Sequence, residues 1–274
     1  MRYPWLIYAA LAFAISWGGV LLVIGSGGIP GTAAQFETLL PFVVLAMLAG
    51  PSVAGLLSTG LTHGRAGLRE LLSRLLTWRI GARWYAIALL TAPLSVAATL
   101  VALSLTSPVF RPGILTTSQP ASHLLFGIAA GVGAGLFEEL GWTGFAVPEL
   151  RRRYGVLATG LIVGLLWGAW HFLVVWWGSS GTSGAVSLAV YLPAMLFSFL
   201  PPYRVLMVWV YDRTGSLLVA MVMHASLTAS VRILDPLAIS GVPIVTYNLV
   251  LGAALWVLVA VVALADPEQF RPPR

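Results

Sequence analysis

Residues Leu124–Gly144 have the sequence LLFGIAAGVGAGLFEELGWTG, an apolar run that carries two adjacent carboxylates, Glu138 and Glu139, near its end. A stretch of about 20 apolar residues is long enough to cross a bilayer as a helix. A charge inside such a helix costs roughly 2.5–3.5 kcal/mol or more, so charged residues there usually face the protein interior and mark a functional site. The stretch therefore predicts a membrane helix with a site inside a helical bundle.

The whole chain has the composition of a membrane protein. Its 274 residues are 59% hydrophobic and 9% charged, with a mean hydropathy of +0.93, whereas soluble domains carry about 25% charged residues. We predict an all-α polytopic fold in which residues 1–274 form a single transmembrane domain and the site lies in the bundle core. The eight predicted spans are Trp5–Ile24, Leu39–Leu61, Trp84–Leu105, Leu124–Gly144, Val156–Trp177, Ser187–Leu206, Ser216–Ile233 and Val245–Leu264. Pro201–Pro202 should break or kink the sixth span.

The basic residues predict the orientation. All fifteen are Arg. If the N-terminus is inside, thirteen of them, Arg204 included, fall in inner segments, and only Arg111 and Arg232 fall outside. Cytoplasmic loops carry such an excess, so both termini are predicted to be cytoplasmic. The exclusive use of Arg suggests a high-GC bacterial genome and hence a bacterial cell membrane. Because the charges are spread over many loops, no nucleic-acid partner is expected.

The segment between the second and third spans has two interpretations. Its leucines recur at helical spacing, with arginines on other faces, over residues 65–83. This pattern suits an amphipathic helix on the inner leaflet of the membrane, and a plain cytoplasmic connector is the alternative.

Two further spans each carry a histidine. His171 lies in LLWGAWHFLVV (165–175), with Trp167 one turn earlier, and His224 lies in SLLVAMVMHASLT (216–228), with Thr228 one turn later on the same face. Taken singly, such histidines more often make hydrogen bonds between helices, and Thr228 could bond to its own backbone.

The two glutamates should have different surroundings. Adjacent side chains on a helix point about 100° apart, so one should face the site while the other supports the helix end or takes a positive partner. The alternative is that both are solvated at the inner headgroup level. Glu138 reaches the depth of the histidines only if the fourth helix continues past Gly141 toward Val147.

A carboxylate and two imidazoles that converge would form an acid–base site. A carboxylate and an imidazole could together deprotonate a water, and a second histidine with a hydroxyl could stabilise an oxyanion. These groups suffice for peptide hydrolysis without a covalent intermediate, on a peptide or membrane-protein substrate. Glu138, His171 and His224 would equally suit a catalytic zinc ion. No other cofactor is predicted.

These motifs resemble the CPBP intramembrane proteases, which include prenyl-protein endopeptidases of the Rce type, Abi-like proteins and lysostaphin-resistance-like proteins. The family pattern is a double Glu followed by Arg, then an aromatic-x-x-x-His, then His-x-x-x-Asn or Asp. This chain has Glu138-Glu139, Trp167-Gly-Ala-Trp-His171 and His224-Ala-Ser-Leu-Thr228 in that order. The resemblance covers residues 124–230, the expected catalytic core.

The resemblance implies roles for these residues. Glu138 and His171 would activate water, and His224 with Thr228 would stabilise the oxyanion. Two residues depart from the pattern: Thr228 replaces the usual Asn, and Thr143 replaces the usual Arg, so that Glu139 is expected to lose its partner. The resemblance implies either a glutamic-type or a metallo-endopeptidase.

Three functions follow from these features. The first is an intramembrane endopeptidase that cuts near the cytoplasmic side. The second is a non-catalytic CPBP-type bacteriocin-immunity or scaffold protein, suggested by the two threonines. The third is a proton-coupled transporter, in which membrane Glu and His would relay protons. The motif order favours the first.

Overall fold

The protein is an all-α, multi-pass membrane protein. The computed structural model describes residues 3–182 and 185–271, and every regular element in these ranges is helical. Eight helices are long and apolar enough to cross a membrane, which confirms the predicted number. These spans are Pro4–Ile24, Ala33–Leu75, Ala82–Ser104, Pro120–Arg151, Val156–Ser180, Leu188–Thr214, Leu217–Leu234 and Gly241–Ala265. Arg2 and Arg274, which the orientation argument counts, lie outside the described residues.

Ten helices build these spans, because the fourth and sixth spans each contain two. They are α1 (Pro4–Ile24), α2 (Ala33–Leu75), α3 (Ala82–Ser104), α4 (Pro120–Glu139), α5 (Val147–Arg151), α6 (Val156–Trp177), α7 (Leu188–Phe197), α8 (Leu200–Thr214), α9 (Leu217–Leu234) and α10 (Gly241–Ala265). Short helical turns occur at Gly25–Gly27, Pro108–Phe110, Gly113–Thr116, Gly178–Thr182 and Pro267–Phe270.

Polar groups lie inside the bundle and large apolar groups cover it. Leu22, Leu105 and Leu264 are 84–86% exposed, whereas Glu139 and Arg204 are 0% exposed. A surface of this kind is stable against lipid, and buried charges are tolerated where they pair with each other.

Two rows of glycine bring the helices of the site together. On α4, Gly127, Gly131 and Gly135 lie so close to α9 that a Cβ at any of them would collide with that helix. Gly160 and Gly164 of α6 pack in the same way against α8. Small residues spaced four apart allow membrane helices to approach closely. The first row places the end of α4 beside α9, and the second places α8 beside α6.

The fourth span continues beyond the two glutamates. This continuation is the condition under which Glu138 lies at the same membrane depth as the two histidines. A π-helical turn, Trp142–Ala146, joins α4 to α5 and extends the span to Arg151. Ser52 of α2 donates a hydrogen bond to the carbonyl of Phe137, near the point where the regular pattern ends. Single π-turns of this kind are frequent at functional sites.

The sixth span breaks just before its paired prolines. α7 ends at Phe197 and α8 begins at Leu200, so Pro201 and Pro202 occupy the first turn of the new helix. Proline is tolerated there because the first backbone N–H groups of a helix have no partner within it. The predicted break is therefore confirmed, at residues 198–199.

Residues 65–75, which follow the predicted second span, are helical and extend α2. α2 turns at Gly64, whose φ of 60° and ψ of −152° suit only glycine, and continues to Leu75. Leu71 is buried against Leu217 and Met221, while Leu68 and Leu72 stay exposed. The leucine spacing thus belongs to a helix that ends at Leu75, and Leu71 of this helix packs against the bundle.

Candidate active site

Glu138 lies inside the bundle, where it binds a tryptophan of the next span. Its side chain is 4% exposed. The indole Nε1 of Trp167 on α6 donates a hydrogen bond of 2.7 Å to Glu138 Oε2. A carboxylate fixed by a single donor keeps lone pairs for other partners. Glu138 is thus the glutamate that faces the site, and it is not solvated at the membrane surface.

Trp167 also sets the orientation of His171. Nδ1 of His171 donates to the carbonyl of Trp167 over 2.8 Å, one turn along α6. A carbonyl only accepts, so Nδ1 carries the proton and neutral His171 has an unprotonated Nε2. The His171 ring packs edge-on against Trp167 and Trp170, with ring centroids 5.6 and 4.7 Å apart. One tryptophan therefore contacts both proposed water-activating groups.

Glu139 lies on the other side of the helix and takes three partners. Nη1 of Arg204 donates to both of its oxygens, over 2.9 and 2.7 Å. Thr143 donates to Oε2, and Nδ1 of His224 makes a hydrogen bond of 2.7 Å to Oε1. The expectation that Glu139 lacks a positive partner is therefore wrong: Thr143 replaces the usual Arg, but Arg204 reaches Glu139 from α8.

Arg204 is the residue of this site that the sequence analysis missed. The orientation argument counts it with the inner segments, whereas the structure buries it completely. The break before α8 and the close contact of α8 with Gly164 direct this arginine into the bundle. The helical register after the Pro201–Pro202 break could have suggested it, but nothing in the sequence pairs Arg204 with Glu139.

His224 links the two glutamates. Its Nδ1 binds Glu139, and its Nε2 lies 3.9 Å from Glu138 Oε2. Its ring packs edge-on against Trp167 at 5.0 Å. The structure thus brings Glu138, Glu139 and His224 together as a connected group, with His171 joined to them through Trp167.

Two of the predicted interactions are not made by direct hydrogen bonds. Glu138 and His171, both within the described residues, make no direct hydrogen bond or ion pair and are connected only through Trp167. Thr228 is half-buried one turn beyond His224, and no hydrogen bond to another described residue fixes its hydroxyl.

The residue types that bind catalytic zinc are present at this site, but their side chains are not arranged around one metal position. A carboxylate and two imidazoles are a common catalytic zinc set. In the described ranges, however, no three His, Asp or Glu side chains come close enough together to hold one metal ion. Nδ1 of His171 and Nδ1 of His224 are engaged, by Trp167 and by Glu139, so Nε2 is the nitrogen that each ring could offer to a metal ion. We therefore derive no catalytic step through a metal.

Comparison with known proteins finds similar sequences over the part of the chain that carries this site. Residues 120–230 match the family described as type II CAAX prenyl endopeptidase, Rce1-like. The CAAX prenyl protease 2 of Methanococcus maripaludis is 26% identical over 92 residues, which are 33% of this chain and 34% of that protein. The match thus spans about a third of the relative's length. These matches make residues 120–230 similar to Rce1-like endopeptidases and support the resemblance to the CPBP family of membrane proteases.

Proposed function

We propose that the protein is an intramembrane endopeptidase that hydrolyses a peptide bond with a water activated by Glu138 and His171. The observation that carries this proposal is the position of Trp167. Its N–H holds Glu138 and its carbonyl holds Nδ1 of His171, at 2.7 and 2.8 Å. One residue therefore holds both a carboxylate and an imidazole, and either group can serve as a general base.

One group that accepts a proton from water and later donates it to the leaving amine is enough for the reaction. Glu138, or the free Nε2 of His171, takes a proton from water, and the resulting hydroxide attacks the peptide carbonyl carbon. The tetrahedral intermediate then breaks its C–N bond, and the same proton passes to the leaving amine nitrogen. Because both groups lie in a water-poor interior, their electrostatic effect on the transition state is larger than it would be in solvent.

His224 is placed to stabilise the oxyanion. Its Nδ1 is engaged by Glu139, so only Nε2 faces Glu138 and the proposed substrate position. Donation to an oxyanion requires a proton on Nε2 as well, which gives an imidazolium paired with Glu139. The hydroxyl of Thr228 would add one weaker donor, since it replaces the amide of the related pattern.

We propose that the substrate is a peptide or membrane protein that reaches the site from the cytoplasmic side of a bacterial membrane, with both termini of the enzyme in the cytoplasm. The arginines at residues 151–153, which end the fourth span, support this orientation. The relative is named for CAAX prenyl substrates, so prenylated and unprenylated peptides belong in the same assay. The comparisons name proteases, so they do not favour the non-catalytic alternative.

Purified protein and a peptide library test the function. Wild type should cleave, whereas Glu138→Gln and His171→Ala should lose about 10²- to 10⁴-fold in kcat/KM, the usual contribution of a general acid–base group. Glu268→Gln is the control, because this carboxylate is 71% exposed. If folded wild type and Glu138→Gln are equally inert against all peptides, the non-catalytic alternative replaces this proposal.

Metal dependence needs a separate measurement. Since the three zinc-type ligands do not converge here, we expect full activity after dialysis against a chelator and no stoichiometric metal in active protein. Activity that is lost with the chelator and restored by zinc would overturn this expectation and make the enzyme a metallo-endopeptidase.

A further inference from the structure

Arg204 contacts Glu139 directly and also contacts Trp167, the partner of Glu138. Its Nη1 binds both oxygens of Glu139, and its Cζ lies 4.2 Å from the centre of a Trp167 ring. Trp167 in turn donates to Glu138, and Glu139 binds His224. A single guanidinium thus joins the two halves of the site, although it touches neither proposed water-activating group.

The remaining donors of Arg204 show what holds it in place. Its Nε and Nη2 are buried and have no hydrogen-bond partner among the described residues. Buried guanidinium groups with a purely structural role normally have most of their five donors satisfied. Here only Nη1 is satisfied, so Glu139 and the face of Trp167 fix the position of the charge.

We propose that Arg204 is a positioning residue of this active site, which holds Glu139 as the anionic partner of His224 Nδ1 and fixes the Trp167 indole that binds Glu138. The proposal rests on the proposed endopeptidase function. Its physical basis is charge pairing. A buried carboxylate without a cation would take up a proton or draw water into the bundle, and the proton position on His224 would then no longer be fixed.

Relocating the cation tests this role. Arg204→Met removes the charge and keeps an apolar side chain of similar length. Thr143 already donates to Glu139 from the next helical turn, so Thr143→Arg in the Arg204→Met background places a new guanidinium beside the same carboxylate. We expect Arg204→Met to lose about 10- to 100-fold in activity, mainly in kcat rather than in KM. The double variant should regain most of this loss.

Arg213→Met is the matched control. Arg213 lies on the same helix as Arg204, near the exposed end of that helix, where it binds Asp266. The Arg213 side chain is 40% exposed. It should keep wild-type kcat. Arg204→Lys provides a second variant that retains the charge; it should show an intermediate kcat, because an ammonium lacks the planar fork of guanidinium. If Arg204→Met does not fold, the Lys variant and the double variant decide the question.

A spectroscopic readout separates this proposal from the proposed function. In protein with ¹⁵N-labelled histidine, the Nδ1 proton of His224 should be seen in wild type, lost or exchange-broadened in Arg204→Met, and restored by Thr143→Arg. This pattern in an inert protein supports the role of Arg204 while the endopeptidase proposal fails. A folded Arg204→Met protein that keeps both wild-type kcat and the His224 signal would overturn the proposal.

Discussion

At the scale of the residue, Trp167 does the most to define the site. Its indole N–H binds Glu138, its carbonyl binds His171, and its ring packs against His224. The sequence places Trp167 one turn before His171. The hydrogen bond to Glu138 connects two helices and could not be read from either helix alone.

Replacing Trp167 by phenylalanine removes the hydrogen-bond donor and keeps an aromatic ring. The contributions of the donor and of the ring can therefore be measured separately. Trp167→Phe keeps most of the packing against the histidines and removes the hydrogen bond to Glu138. Hydrogen bonds to charged groups contribute about 1.5–3 kcal/mol, so kcat should fall about 10- to 100-fold while the melting temperature changes little. Peptide cleavage and thermal unfolding in detergent measure the two effects.

Trp176→Phe is the control on the same helix. Its ring packs near Phe172 and away from the glutamates, so its kcat should equal that of wild type. Equal kcat values for Trp167→Phe and wild type would show that the indole N–H does not orient the catalytic carboxylate.

The two glutamates show what local geometry can predict. Because neighbours on a helix point about 100° apart, one is expected to face the site while the other supports the helix end or takes a positive partner. This division is confirmed, with Glu138 bound to Trp167 and Glu139 bound to Arg204. The identity of that partner was not predictable, since Arg204 is 65 residues away in the chain.

At the scale of the element, glycine spacing decides which helices meet. Gly127, Gly131 and Gly135 recur every four residues and so lie on one face of α4, where they contact α9. The packing of this face against α9 brings the C-terminal end of α4, with Glu139, close to His224. The repeat is visible in the sequence, but it does not say which helix packs against it.

A valine at one of two nearby glycines tests this packing. At Gly135 an added Cβ would meet the backbone of Met221, whereas at Gly133 nothing lies within 4 Å. Gly135→Val should therefore lower stability by about 1–3 kcal/mol, the usual cost of overpacking, and should reduce peptide cleavage because α9 carries His224. Thermal unfolding and cleavage assays measure both effects.

Gly133→Val controls for the loss of a helical glycine. It makes the same chemical change two residues away and should retain wild-type unfolding and cleavage. If both variants behave alike, close packing of α4 on α9 is not what positions the site.

At the scale of the whole molecule, the arginine distribution predicts the orientation. Burial of Arg204 removes it from the inner group but leaves the excess of inner arginines intact, because the outer group contains only Arg111 and Arg232. The orientation with both termini inside therefore does not depend on this corrected assignment.

The absence of cysteine makes this orientation directly measurable. Because the natural chain has no cysteine, a single cysteine introduced at an exposed arginine is the only labelling site. In intact cells, an impermeant thiol reagent should label Arg111→Cys but not Arg69→Cys, and both should react after the membrane is opened. Labelling of Arg69→Cys in intact cells would contradict the predicted orientation.

The sequence by itself determined the number of spans, the all-α fold and the pair of glutamates and histidines. These depend on local quantities: the length of apolar runs, helical periodicity and the cost of charge in lipid. Only the tertiary structure decided that Arg204 pairs with Glu139, that Trp167 holds Glu138, and that Glu138 and His171 are joined through Trp167 and not by a direct hydrogen bond. Those outcomes depend on how closely helices distant in sequence approach each other, which is set by packing across the bundle.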